Sequence, residues 1–228
     1  MERAEAGKAS PGLYRSRFWL LFIGIILTLA VRPFLEGSFG IRLLSGIFFS
    51  FILLACIYSV SDTRSSFLIA LFLALPAVCA VWLGVLLRSS SWQIAGGILQ
   101  IIFWSYTLVV ILSHLLRARE VTADTVTGAA CAYFLIGLAW SYVFFVLESL
   151  SPGSFSLPAS QKGAGLNVFI YFSFITLTTT GFGDITPVSN PARSLVILEA
   201  ALGQLFVAIT ISILVGTYLS RSGRGESA

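Results

Sequence analysis

Charge is scarce in this chain. Asp, Glu, Lys and Arg make up 11% of its 228 residues, and 57% are hydrophobic. A soluble domain carries roughly a quarter charged residues. Residues 65–87, 89–116, 125–147 and 200–220 contain none, which excludes a water-soluble fold and points to an integral membrane protein. Histidine occurs once and cysteine three times. Cys56, Cys79 and Cys131 each lie inside an apolar run at spacings that suit no metal site, so they read as small buried hydrophobes and no disulfide framework is expected. No basic face with interleaved aromatics is present, which argues against nucleic-acid binding. Nothing in the composition calls for a cofactor.

What is present is a succession of six apolar segments, near residues 18–31, 41–60, 67–87, 92–116, 129–147 and 194–219. The first is short against the roughly 20 residues of a span. Arg17 and Arg32 can snorkel at its ends, and Phe34 and Leu35 can extend it past Pro33. A signal peptide would begin similarly, but no small-x-small cleavage site follows. Residues 1–17 predict a disordered tail and 221–228 a short polar one. Nine Lys and Arg fall on one side of the alternating topology and five on the other, which predicts cytoplasmic termini in a plasma or bacterial inner membrane. Residues 18–127 are then a four-helix peripheral domain plus linker, with Arg117 to Gly128 forming the linker. Residues 128–220 are a second unit of helix, re-entrant segment and helix.

That second unit holds the most informative string, Thr178-Thr179-Thr180-Gly181-Phe182-Gly183-Asp184. Alternate glycines after threonines suit a backbone that turns successive carbonyls to one side, as a dehydrated cation requires. Gly181 and Gly183 can take angles that a Cβ resists. Ahead of the string, Asn167 can cap a helix through residues 168–177. At 1.5 Å per residue that helix is too short to cross a bilayer. Irregular backbone at membrane depth survives only when buried in protein or lining a watery cavity. Carbonyls of Thr179, Thr180, Gly181 and Phe182, the Thr179 hydroxyl and the Gly183 backbone can form stacked oxygen rings if four chains meet on an axis. One string per chain predicts a homotetramer.

The string resembles the selectivity filter of tetrameric potassium channels, whose common form is TVGYG. The resemblance covers residues 125–220 and implies a permeant K+ ion, a re-entrant pore helix and an inner helix. It aligns Gly203 with the family's hinge glycine and places Gln204, Val207, Ile211 and Val215 along the cavity and gate, near one helix face. A small residue that only permits close helix packing is the other reading of Gly203. Two departures stand out. Phe182 replaces the commoner tyrosine, and Thr180 stands where valine is usual, adding a hydroxyl beside the ion path. Ile175 occupies a position where some relatives have a carboxylate, so the Tyr171 hydroxyl is expected to bond Asp184 instead.

The remaining polar residues divide by position. Glu199, one turn before Gly203 inside the sixth span, is expected to be structural, hydrated or bonded to threonines of the re-entrant helix; intramembrane carboxylates are otherwise functional by default. Glu148 is expected to tie the fifth span to the start of the sixth, or to be solvated. His114, near the end of the fourth span, reads as an interfacial side chain rather than a pH sensor. That span lacks the arginines with which voltage sensors follow the field, so little voltage sensing is expected. No enzymatic chemistry is expected. Gly181 to Asp184 also fits the GxGD pattern of intramembrane aspartyl proteases, but the only other aspartates, Asp62 and Asp124, lie in loops. Potassium transporters with pore loops carry four in one chain. The expectation is an all-α membrane protein with six spans, a pore loop between the fifth and sixth, and passive K+ conduction through a tetrameric pore. A non-selective cation channel and a silent regulatory subunit are the alternatives.

Overall fold

The computed structural model describes residues 17–31, 64–87, 89–118, 121–158 and 165–225. The expected second span, 41–60, and most of the residue 1–17 tail lie outside the described residues. The described chain is predominantly helical. It contains α1 (Arg17–Val31), α2 (Arg64–Leu87), α3 (Ser90–Arg117), α4 (Ala123–Leu150), a two-residue strand β1 (Phe155–Ser156), α5 (Leu166–Leu177), a second strand β2 (Thr186–Pro187) and α6 (Asn190–Gly225). Four of these helices are long and apolar enough to cross a membrane: α2, α3, α4 and α6. With 15 residues, α1 reaches about 22 Å and falls short of the ~30 Å hydrocarbon core.

Helix α4 starts earlier than its hydrophobicity suggests. Thr122 and Thr125 form a capping box, each side chain satisfying the other's amide, and Asp124 lies in the first turn. Both features stabilise a helix N-terminus, where four amides lack partners and the dipole is positive. Residues 123–128, expected to be linker, are therefore helix. The cap of α5 also differs from expectation. Gly165, with φ 66°, precedes the first turn and no side chain caps it, so Asn167 sits inside the helix. The left-handed angle open to glycine lets the chain turn sharply into the helix two residues before Asn167. At the start of α6 the Ser189 hydroxyl accepts the Ala192 amide at 3.3 Å, and Pro191 occupies the first turn, where its missing amide costs nothing. Helix α6 then runs unbroken to Gly225, through most of the stretch expected to be a polar tail.

Two apolar clusters organise the packing. One gathers Phe18, Leu21 and Ile25 of α1, Ala70 and Ala74 of α2, Phe103, Trp104 and Ile111 of α3, and Cys131, Ala132 and Leu135 of α4. Close approach of α3 to α4 is set by Gly97, where an added Cβ would lie 2.7 Å from the Val146 side chain. His114 meets the Phe18 ring edge-on at 6.0 Å. The second cluster is aromatic and lies behind α5. Phe155 of β1 packs edge-on against Phe144, Phe169 and Phe172 at 5.3 to 5.4 Å. Such pairs add to area burial and prefer this tilted geometry. Ile185 and Ala192 complete the cluster, so the residue after Asp184 is anchored to the same core as α5.

Candidate functional site

The site is built around α5, twelve residues long and about 18 Å, wedged between α4 and α6. Glycines make the wedge possible. A Cβ on Gly137 of α4 would lie 2.9 Å from the tip of the Phe174 ring, and one on Gly203 of α6 would lie 2.7 Å from the Leu177 carbonyl oxygen. Gly203 therefore permits close packing, inside a continuous helix. Tyr133 of α4 donates to the same Leu177 oxygen at 3.2 Å.

Residues 178–184 leave the C-terminus of α5. Four of their amides turn back onto it: Thr178 to the Phe174 carbonyl, Thr179 to Thr176, and Thr180 and Gly181 both to Ile175, at 2.9 to 3.1 Å. A helix C-terminus has carbonyls without partners, and the string supplies them. Its own carbonyls are left over. Among the described residues, no hydrogen bond ends on a carbonyl of residues 179–183. The angle φ is positive at Thr179 (58°), Gly181 (51°) and Gly183 (77°) but not at Thr180 or Phe182. Left-handed backbone at alternate positions tilts successive peptide planes, so that neighbouring carbonyls can share one side. For Thr179 this angle is costly, since its Cβ crowds the backbone. Every residue of the string is exposed in the single chain, Phe182 at 70%.

The Thr180 hydroxyl has a partner within the string. It pairs with the Thr178 hydroxyl at 2.9 Å, and Thr178 donates to the Phe174 carbonyl at 2.7 Å. The extra hydroxyl thus ties the string back to its helix. Tyr171, on the exposed side of α5, lies within electrostatic reach of the Asp184 carboxylate.

Glu148 bonds the turn that follows its own helix rather than the start of α6. Its two carboxylate oxygens accept the Gly153 and Phe155 amides at 2.8 and 3.0 Å. The link to α6 is one step removed. The buried Ser154 offers its carbonyl to the Val188 and Ser189 amides at 2.8 and 3.2 Å, and β1 pairs with β2 beside it. Glu199 is fully buried and bonded to Ser173, not to a threonine. Ser173 also lies 2.7 Å from the Gly137 carbonyl. Sequence reading did not single out Ser173, Tyr133 or Gly137; the only signal was a hydroxyl or a glycine in an otherwise apolar helix. Gln204, Val207, Ile211 and Val215 are exposed along α6. A cavity of about 260 Å³ borders the far half of α6, lined by Leu112, Leu115, Phe206, Ile209 and Ile213 among others.

Residues 132–220, from within α4 to the last turns of α6, match the model of a family described as ion channel. The matched segment contains α5, the string and the exposed face of α6. It supports ion-channel function in a multi-pass membrane protein. No curated protein and no solved structure matches the chain.

Proposed function

We propose that this protein is a potassium-selective channel in which residues 178–184 of four identical chains surround one axis. The observation that carries the reading is the alternating left-handed backbone at Thr179, Gly181 and Gly183, coupled to unpaired carbonyls. Carbonyls of Thr179, Thr180, Gly181 and Phe182 replace the hydration shell of K+, and ions at adjacent positions repel one another along the row. Helix α5 acts as the re-entrant pore helix. Its C-terminal dipole end is negative and favours a cation nearby. Four of the string's amides, those of residues 178–181, are consumed by that same helix end, which leaves their carbonyls to face the ion.

The tetramer follows from what one chain leaves bare. An apolar span whose surface is largely uncovered by its own chain is matched by lipid or by copies of itself, and one string cannot enclose an ion. With α6 on the axis, Gln204, Val207, Ile211 and Val215 line the path, and the three apolar side chains can close it by dewetting. The Lys and Arg distribution favours an orientation with the string on the outer side and both termini in the cytoplasm. The test is the reversal potential of the purified chain in bilayers with K+ on one side and Na+ on the other. The expected potential approaches that of K+. A value near zero with large currents instead identifies a non-selective cation channel, and no current from an assembled tetramer identifies a silent subunit.

A further inference from the structure

Behind the string, three helices meet at a cluster with one hydrogen too few. The Ser173 hydroxyl of α5 lies within bonding distance of two acceptors, the Gly137 carbonyl of α4 and Oε1 of Glu199 on α6. A hydroxyl owns a single hydrogen. The Gly137 carbonyl also receives Ser141 at 2.6 Å. The second carboxyl oxygen, Oε2, has no partner and no access to solvent. An ionised carboxylate here would hold a full negative charge against one shared donor, in the interior of a membrane protein, where such charges are expensive. A neutral acid resolves the count: its own hydrogen goes to Ser173 Oγ, and Ser173 then donates to Gly137.

We propose that Glu199 is a proton-binding site whose proton, relayed through Ser173 to the Gly137 carbonyl, holds α5 in place between α4 and α6. The surrounding ionisable groups leave that role to the proton. From α4, the Tyr133 hydroxyl is committed to the Leu177 carbonyl. On α5, Tyr171 is turned to Asp184. On α6 itself, Arg193 is six residues away and bonds the Pro187 carbonyl. None offers Glu199 a counter-charge. Losing the proton leaves Oε1 and Gly137 competing for one hydrogen and loosens the helix two residues before Ile175, whose carbonyl anchors Thr180 and Gly181. Conduction is therefore expected to fall as pH rises. That last step rests on the channel reading, whereas the proton site does not.

Two measurements on the full chain in lipid separate them. Infrared spectra at neutral pH are expected to contain the carbonyl stretch of a protonated carboxylic acid. The band should vanish in Glu199→Gln, shift in Ser173→Ala, and bleach in the wild type as pH is raised. K+ flux in liposomes should decline over the same titration, and Glu199→Gln, which keeps the shape and the donor, should lose that pH dependence. A spectrum in which Glu199→Gln removes no such band overturns the proton site. A Glu199→Gln protein that loses the band yet retains the wild-type pH profile of flux overturns the link from this proton to conduction. If Glu199→Gln does not fold, the wild-type band and its response to Ser173→Ala decide alone. Wild-type protein that passes no K+ at any pH, yet shows the band, refutes the channel reading and leaves the proton site standing.

Discussion

Helices α4 and α6 flank the same short helix, yet the chain treats them oppositely. In the apolar window of α4, 56% of the residues are buried within the chain; in that of α6 only 11% are. Helix α4 is touched from several sides, by α1, α3, α5 and α6. Helix α6 meets α5 and α4 along one edge and presents Ile197, Leu205, Ile209 and Ile211 outward. A membrane helix exposes apolar side chains to lipid at no cost, so exposure alone decides nothing. What sets the two helices apart is how much of each its own chain covers. The well-covered helix belongs to the frame of the chain, and the bare helix is left for lipid or for other copies.

The largest effect expected from disturbing this arrangement is on the string. Gly181→Ala meets no neighbouring atom in the chain, so its cost is the left-handed angle of 51°, about 1–2 kcal/mol per subunit. K+ flux into liposomes should drop by roughly tenfold or more while the oligomer persists on native mass spectrometry. Next, Leu205→Glu on the bare face should shift the oligomer toward monomer by native mass spectrometry, because an unpaired buried charge costs several kcal/mol. Val126→Glu, at the exposed start of α4, should not. The two close-contact glycines beside α5 should rank in a fixed order. Gly203→Ala drives a methyl into backbone and should cost about 1–3 kcal/mol, read as a lower melting temperature in detergent. Gly137→Ala meets a ring that can swing aside and should cost less, and Gly216→Ala, with open space around it, should cost nothing measurable. Smallest is Tyr171→Phe, which removes the hydroxyl within reach of Asp184, worth about 1 kcal/mol. Faster loss of current during sustained opening is the expected outcome, and unchanged inactivation would show the hydroxyl to be idle.

How much of this was legible in the chain itself depended on distance along it. The 178–184 string is contiguous, and its glycine alternation shows in the letters because the backbone angle is a property of each residue. Four of the spans were legible from hydrophobicity alone. Their ends were not. Capping at Thr122 started one helix six residues before the expected span, and a glycine angle at Gly165 started another two residues early. The partners of Glu199 and Glu148 were misjudged for another reason. Ser173 and Glu199 are 26 residues apart, and only the wedge of α5 between two glycines brings them together. Thr180 shows the limit most simply. Its presence was obvious, but which way its hydroxyl points follows from the alternating backbone and from Thr178 behind it.

The unbroken length of α6 has a mechanical consequence. No proline interrupts it after Pro191, and it is pinned against Leu177 at Gly203. From that fulcrum the helix extends about 20 Å one way and about 33 Å the other. Such a rod behaves as a lever with unequal arms. A small tilt at the pivot sweeps the long arm farther than the short one, so the C-terminal end of the helix can swing wide while the residues beside Leu177 barely stir.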